Sequence, residues 1–393
     1  MSHLKNIIKS NLYPIVKLSL KYKNKLLLFL LLIVSTATLA QNKDNDSIRY
    51  AIEAKYHFGI VVPHHTSMAY LINDYARGGE INLIRQRYKK DLWESYLNRP
   101  ETGIGMWFST FGRPDIYGEG IAIYPYINFR IFEWQKLSAR YRVALGLGYA
   151  SNPFDYEKNT YNTVFGSKLN AYVGFGVLLR YPISNYFSLT SSFSLNHMSN
   201  GSSRKPNNGI NTATLTFGAV YELNQFQEPT YHNTSPPPSK AREILATISA
   251  GRNQAAAYNP TIYWSGSATF THLWYTKKTK AYGLGLDLIR FGGAPLASKN
   301  FQDLDITSKY RSSDYLLTGA FVTMESHLGT TSLYLATGAY IYSKTTPRQP
   351  VYARLGVRQK ITQNLLGHFG IKANFFTAEF IEFGLGYRWR YKE

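Results

Sequence analysis

The sequence predicts an all-β protein: an eight-stranded antiparallel transmembrane β-barrel followed by a second, similar barrel-like half. Three observations carry that prediction. Apolar residues alternate with small or charged ones over runs of about ten residues, the length a tilted strand needs to cross a bilayer. The mean hydropathy is −0.26 although 15% of the residues are aromatic. A helical membrane protein is far more apolar, whereas a barrel wall shows only every other residue to lipid. The third observation is an N-terminal region that reads as an export signal.

That region, residues 1–40, is expected to be a signal peptide. Lys21, Lys23 and Lys25 form a basic segment, and residues 26–34 are an unbroken apolar run too short to span a membrane. Thr38-Leu39-Ala40 then offers a cleavage site, with Gln41 as the new N-terminus. The chain has no Cys, which removes disulfides, thiolate nucleophiles and cysteine metal sites. Its net charge of +20 calls for an anionic partner unless Lys and Arg simply fill lumen and loops. Nucleic acid and lipopolysaccharide phosphate are the two candidates, and for an exported barrel the reading is lipopolysaccharide.

The strands justify themselves by parity. In residues 169–180, Leu169, Ala171, Val173, Phe175, Val177 and Leu179 fall on one face. Asn170, Tyr172, Gly174, Gly176 and Arg180 fall on the other, broken only by Leu178. The final strand repeats this, with Ile381, Phe383, Leu385, Tyr387, Trp389 and Tyr391 opposite Glu382, Gly384, Gly386, Arg388 and Arg390. Eight strands are expected in residues 41–225, starting near His57, Glu80, Thr102, Gly120, Arg140, Ser167, Tyr186 and Ile210. Arg77-Gly78-Gly79, Asn98-Arg99-Pro100 and Ser151-Asn152-Pro153 are the turn signals between them.

Residues 226–241, with Pro236-Pro237-Pro238, have a linker composition, and 242–393 hold the second set of strands. The halves read as copies. Tyr172, Gly176, Val177 and Arg180 recur as Tyr352, Gly356, Val357 and Lys360, and Phe217, Gly218 and Tyr221 as Phe383, Gly384 and Tyr387. The proline-containing linker is long for a turn and favours two barrels over one sixteen-stranded barrel, which would enclose water.

One constellation carries chemistry. Residues 195–201 read Leu195-Asn196-His197-Met198-Ser199-Asn200-Gly201, followed by Pro206-Asn207-Asn208-Gly209-Ile210-Asn211. His197 and Ser199 share a face with the apolar Phe187, Leu189, Phe193 and Leu195, and Asn211 shares one with Leu215 and Phe217. Polar groups on a lipid-facing wall are costly and call for a function. This pattern resembles the lipid A 3-O-deacylase (PagL-type) family. The layout covers residues 56–223, and the motif is specific over about fifteen residues. The resemblance implies an outer-membrane barrel with the motif on its last hairpin, Ser199 as nucleophile, His197 as general base and Asn207 as an oxyanion donor. The family has a Glu where this chain has Asn211. An amide can orient the imidazole but brings no charge to balance it.

The expected activity is hydrolysis of a fatty-acyl ester of lipid A, without metal or cofactor. Backbone amides around Gly201 would join Asn207 at the oxyanion, and Arg204 and Lys205 would meet lipid A phosphates. The rivals are a non-enzymatic barrel, serving as scaffold or lipid-binding protein, and a pore. His64-His65 lacks a third ligand for a metal and reads as a polar strand end or loop. The second half has no His-x-Ser motif; Gln363 and Thr377 are expected at its corresponding hairpin.

Overall fold

A computed structural model describes residues 48–88, 93–224, 236–293, 311–344, 349–375 and 377–392. The expected signal segment and most of the expected linker lie outside them.

The first barrel runs β1 (Ile48–Val61), β2 (Ala76–Arg87), β3 (Glu101–Thr110), β4 (Glu119–Trp134), β5 (Leu137–Ala150), β6 (Leu169–Pro182), β7 (Phe187–Ser199) and β8 (Ile210–Glu222). Neighbours pair antiparallel, and β8 returns to β1 with Gly218 opposite Lys55. The second runs β9 (Arg242–Ala256), β10 (Asn259–Lys277), β11 (Lys280–Arg290), β12 (Leu316–Leu328), β13 (Thr331–Ser343), β14 (Val351–Lys360), β15 (Leu365–Asn374) and β16 (Thr377–Lys392). It closes with Gly384 on β16 opposite Ser249 on β9. Each set of eight strands is a closed barrel, so the reading as one sixteen-stranded pore is overturned. Two short helices, α1 (Thr66–Leu71) and α2 (Trp93–Tyr96), lie in the connections flanking β2.

Two details correct the sequence reading. Arg77-Gly78-Gly79 is not a turn but the start of β2. Gly78 is needed there because β3 comes so close that a Cβ would stand 1.9 Å from the Phe108 carbonyl oxygen. Gln363 lies in the turn between β14 and β15, at the end of the barrel opposite the β15–β16 hairpin, where Thr377 does sit.

Alternation sets the two faces of the wall. On β7, Phe187, Leu189, Phe193 and Leu195 are exposed on the outside, while Ser188, Thr190, Ser192, Ser194 and Asn196 are buried in the lumen. The lumen of the first barrel is filled rather than hollow. His57 Nε2 lies 2.8 Å from Glu80, Arg142 bridges Glu80 and Glu53, and Arg49 and Arg180 both pair with Glu101. Above these charges Trp107, Tyr124, Tyr172, Phe111 and Phe165 form a chain of ring contacts. The second lumen is built likewise, with Arg354 between Asp287 and Glu382 and with Arg358 and Arg388 on Glu325. Tyr172 and Tyr352 occupy the sixth strand of their barrels, and both are buried.

Candidate functional site

The site is assembled where β7 ends and β8 begins. The register sets His197 opposite Asn211, and antiparallel pairing brings their side chains together on the outer face. His197 Nδ1 lies 2.7 Å from Asn211 Oδ1, and His197 Nε2 lies 2.9 Å from Ser199 Oγ. The expected trio is thus one hydrogen-bonded chain. His197 and Asn211 are half-buried and Ser199 is only 6% exposed, so the site faces outward by parity but is covered locally.

Gly209 supplies part of that cover. It has φ +73°, and a Cβ on it would stand 2.7 Å from His197 Cε1 and 3.1 Å from Ser199 Cβ. Only glycine fits both the backbone conformation and the space.

The loop 200–209 is tied down at many points. The Asn200 N–H donates to Asn207 Oδ1 at 2.8 Å, which leaves the Asn207 amide nitrogen as the side chain's donor end. Asn200 Nδ2 donates to Ser167 Oγ at 3.0 Å and to the Arg204 carbonyl at 2.9 Å. Asn208 and Gly209 donate their N–H groups to the Thr163 and Val164 carbonyls. The Gly201 N–H has no hydrogen-bond partner among the described residues. Arg204 is exposed, whereas Lys205 donates from Nζ to Ser202 Oγ at 3.1 Å.

The second barrel holds the same loop. The Gln254 N–H donates to the Ser202 carbonyl at 2.9 Å, and Gln254 Oε1 accepts the Lys205 N–H at 2.8 Å. Ser202 Oγ donates to the Ala378 carbonyl, and Gly201 packs on Ile381 so closely that a Cβ would stand 2.4 Å from Cγ1. Gln254 is near the end of β9, and Ala378 and Ile381 are at the start of β16.

Sequence reasoning weighed His64 only as a metal ligand, reading it as a polar strand end or loop, and gave Gly209 no role. His64 follows β1, and the Val62 N–H donates to the Asn211 carbonyl at 2.8 Å, so closure of the barrel brings His64 beside Asn211. Its Nδ1 lies 3.2 Å from Asn211 Nδ2, and its Nε2 lies 2.7 Å from the Asn208 carbonyl oxygen. Burial, the larger effect, holds the His65 imidazole below the usual histidine range, and the adjacent His64 ring acts in the same direction. Glu222, the nearest acid to Asn211 on β8, is bound to Arg49 near the other end of the strand.

Two family models match the chain. "Lipid A 3-O-deacylase (PagL)" matches residues 83–219, and "Acyloxyacyl hydrolase, C-terminal domain" matches residues 242–391. No curated protein matches. Among solved structures, the outer membrane enzyme PagL is 16% identical, over 42% of this chain and 97% of that one, with a TM-score of 0.28. Neisserial surface protein A is 11% identical over 44% and 96%, with a TM-score of 0.30. A Rhodopseudomonas blastica porin mutant is 7% identical over 87% and 100%, with a TM-score of 0.18. The two family matches fall one on each barrel and together take in most of the chain, which belongs to the lipid A 3-O-deacylase and acyloxyacyl hydrolase family of outer-membrane β-barrel ester hydrolases.

Proposed function

We propose that the first barrel hydrolyses a fatty-acyl ester of lipid A, with Ser199 as nucleophile and His197 as general base. The carrying observation is the hydrogen-bonded order Ser199 Oγ, His197 Nε2, His197 Nδ1, Asn211 Oδ1. A Ser hydroxyl is a weak nucleophile until a positioned base takes its proton. Here the Ser199 proton passes to His197 Nε2 as Oγ bonds to the acyl carbonyl carbon. The tetrahedral oxyanion meets the Asn207 amide and the Gly201 N–H. The C–O bond to the sugar hydroxyl then breaks, and that oxygen leaves with the proton from His197. Water, deprotonated by His197, releases the fatty acid from Ser199.

The outward-facing site suits a substrate that stays in the bilayer. With β1 starting in the periplasm, β7 ends at the outer leaflet, where Arg204 would meet lipid A phosphate; Lys205, tied to Ser202, would contribute less. In this reading residues 1–40 direct export, 41–225 form the enzyme barrel and 226–241 link it to the barrel in 242–393.

The test is fatty-acid release from purified lipid A in detergent by wild type and Ser199→Ala. Release by wild type alone is expected. Equal release by both would remove Ser199 from the mechanism, and release by neither would favour the non-enzymatic scaffold, the reading to which Asn211 gives weight.

A further inference from the structure

We infer that His64 is a positioning residue that fixes the sense in which Asn211 presents its amide to His197, and so makes an asparagine workable in that place. The inference rests on the proposed function above. It concerns a residue outside the motif, on a different strand connection.

The Asn208 carbonyl can only accept a hydrogen bond. His64 Nε2, 2.7 Å away, must therefore carry the proton. In the neutral imidazole the other nitrogen then holds a lone pair. His64 Nδ1 faces Asn211 Nδ2 at 3.2 Å and accepts from it. That places Asn211 Oδ1 toward His197 Nδ1, 2.7 Å away, and requires Nδ1 to carry the His197 proton. His197 Nε2 is left with its lone pair toward Ser199 Oγ at 2.9 Å, which is the tautomer a base needs. Polarity is thus handed along five groups from a backbone carbonyl to the nucleophile.

A carboxylate at 211 would need no such selection, because both of its oxygens accept. An amide does need it. With Asn211 turned over, Nδ2 would face His197 Nδ1 and favour the tautomer whose Nε2 carries the proton and cannot take another from Ser199. His64 opposes that turn, since a flipped amide would set Oδ1 against the lone pair of His64 Nδ1.

The test measures the rate at which a fluorophosphonate probe labels Ser199, alongside kcat and KM for fatty-acid release from purified lipid A. The probe reads nucleophile activation without depending on the natural ester. His64→Ala is expected to lower labelling and kcat about tenfold with KM unchanged, the scale of one lost hydrogen bond acting on the reacting state. His64→Asn puts a side-chain oxygen where Nδ1 stands and is expected to keep the rate within about threefold. In an Asn211→Glu background, His64→Ala is expected to cost nothing. Wild-type labelling by His64→Ala would overturn the inference, as would equal losses in the Asn211 and Glu backgrounds, or an Asn variant as slow as the Ala variant. Failure of the enzyme reading looks different, because the wild type itself would then take no probe at Ser199 and release fatty acid no faster than Ser199→Ala.

Discussion

Gly209 has no chemistry of its own, yet its size and backbone conformation bear directly on the proposed site. Its positive φ and its closeness to His197 leave no room for a methyl group. Gly209→Ala is expected to push the imidazole off Ser199 Oγ and lower turnover about a hundredfold, the usual cost of a misplacement near 1 Å, while the barrel still forms. Lipid A deacylation beside a gel assay of folding would check it, and a fully active variant would refute the packing argument. Asn211→Glu is expected to raise turnover by one or two powers of ten, because a carboxylate stabilises the imidazolium while asparagine only orients it. A slower Glu variant would show that charge is not what the site lacks. His197, Ser199 and Asn211 were legible because parity and a short motif place them. His64 was not, because its neighbour Asn211 is 147 positions away and meets it only through closure of β1 on β8.

At the scale of elements, the loop 200–209 is shared property. It grows from the first barrel, yet Gln254, Ala378 and Ile381 of the second hold its tip. Gln254→Ala removes the Oε1 acceptor from the Lys205 N–H, and Ser202→Ala removes the donor to the Ala378 carbonyl. Together they are expected to lower deacylation several-fold, since the same loop carries Asn207 and Gly201; unaltered kinetics would mean that the loop holds its shape alone. The strands themselves were readable by counting in twos. The misread Arg77-Gly78-Gly79 shows the limit of that method. Glycine marks a turn in most sequences, but here it marks close approach of a neighbouring strand, which a linear sequence does not display.

Across the whole molecule, both lumens are occupied by buried ion pairs and rings, so neither barrel is expected to conduct. Purified protein in planar bilayers is expected to give no stepwise ion current, and reproducible open steps would contradict the packed interior. The same charges bear on stability. Glu80 meets Lys55, His57 and Arg142, and Glu80→Ala would leave that cluster with excess positive charge in the first lumen. The expected cost is roughly 3–5 kcal/mol, read as a lower temperature for the gel shift that accompanies barrel opening. No change in that temperature would show that water relieves the cluster.

The even strand count has an evolutionary corollary. A chain that crosses the bilayer eight times finishes on the side where it began, so a copy joined to its end is threaded in the same direction as the original. Fusion of two such genes therefore needs only a spacer, whereas doubling an odd-stranded barrel would turn the second copy upside down. Both barrels here do run the same way, for the tip of loop 200–209 meets the end of β9 and the start of β16. We propose that the second barrel is such a copy: correctly oriented on arrival, it could do without the motif and be kept for what its rim touches.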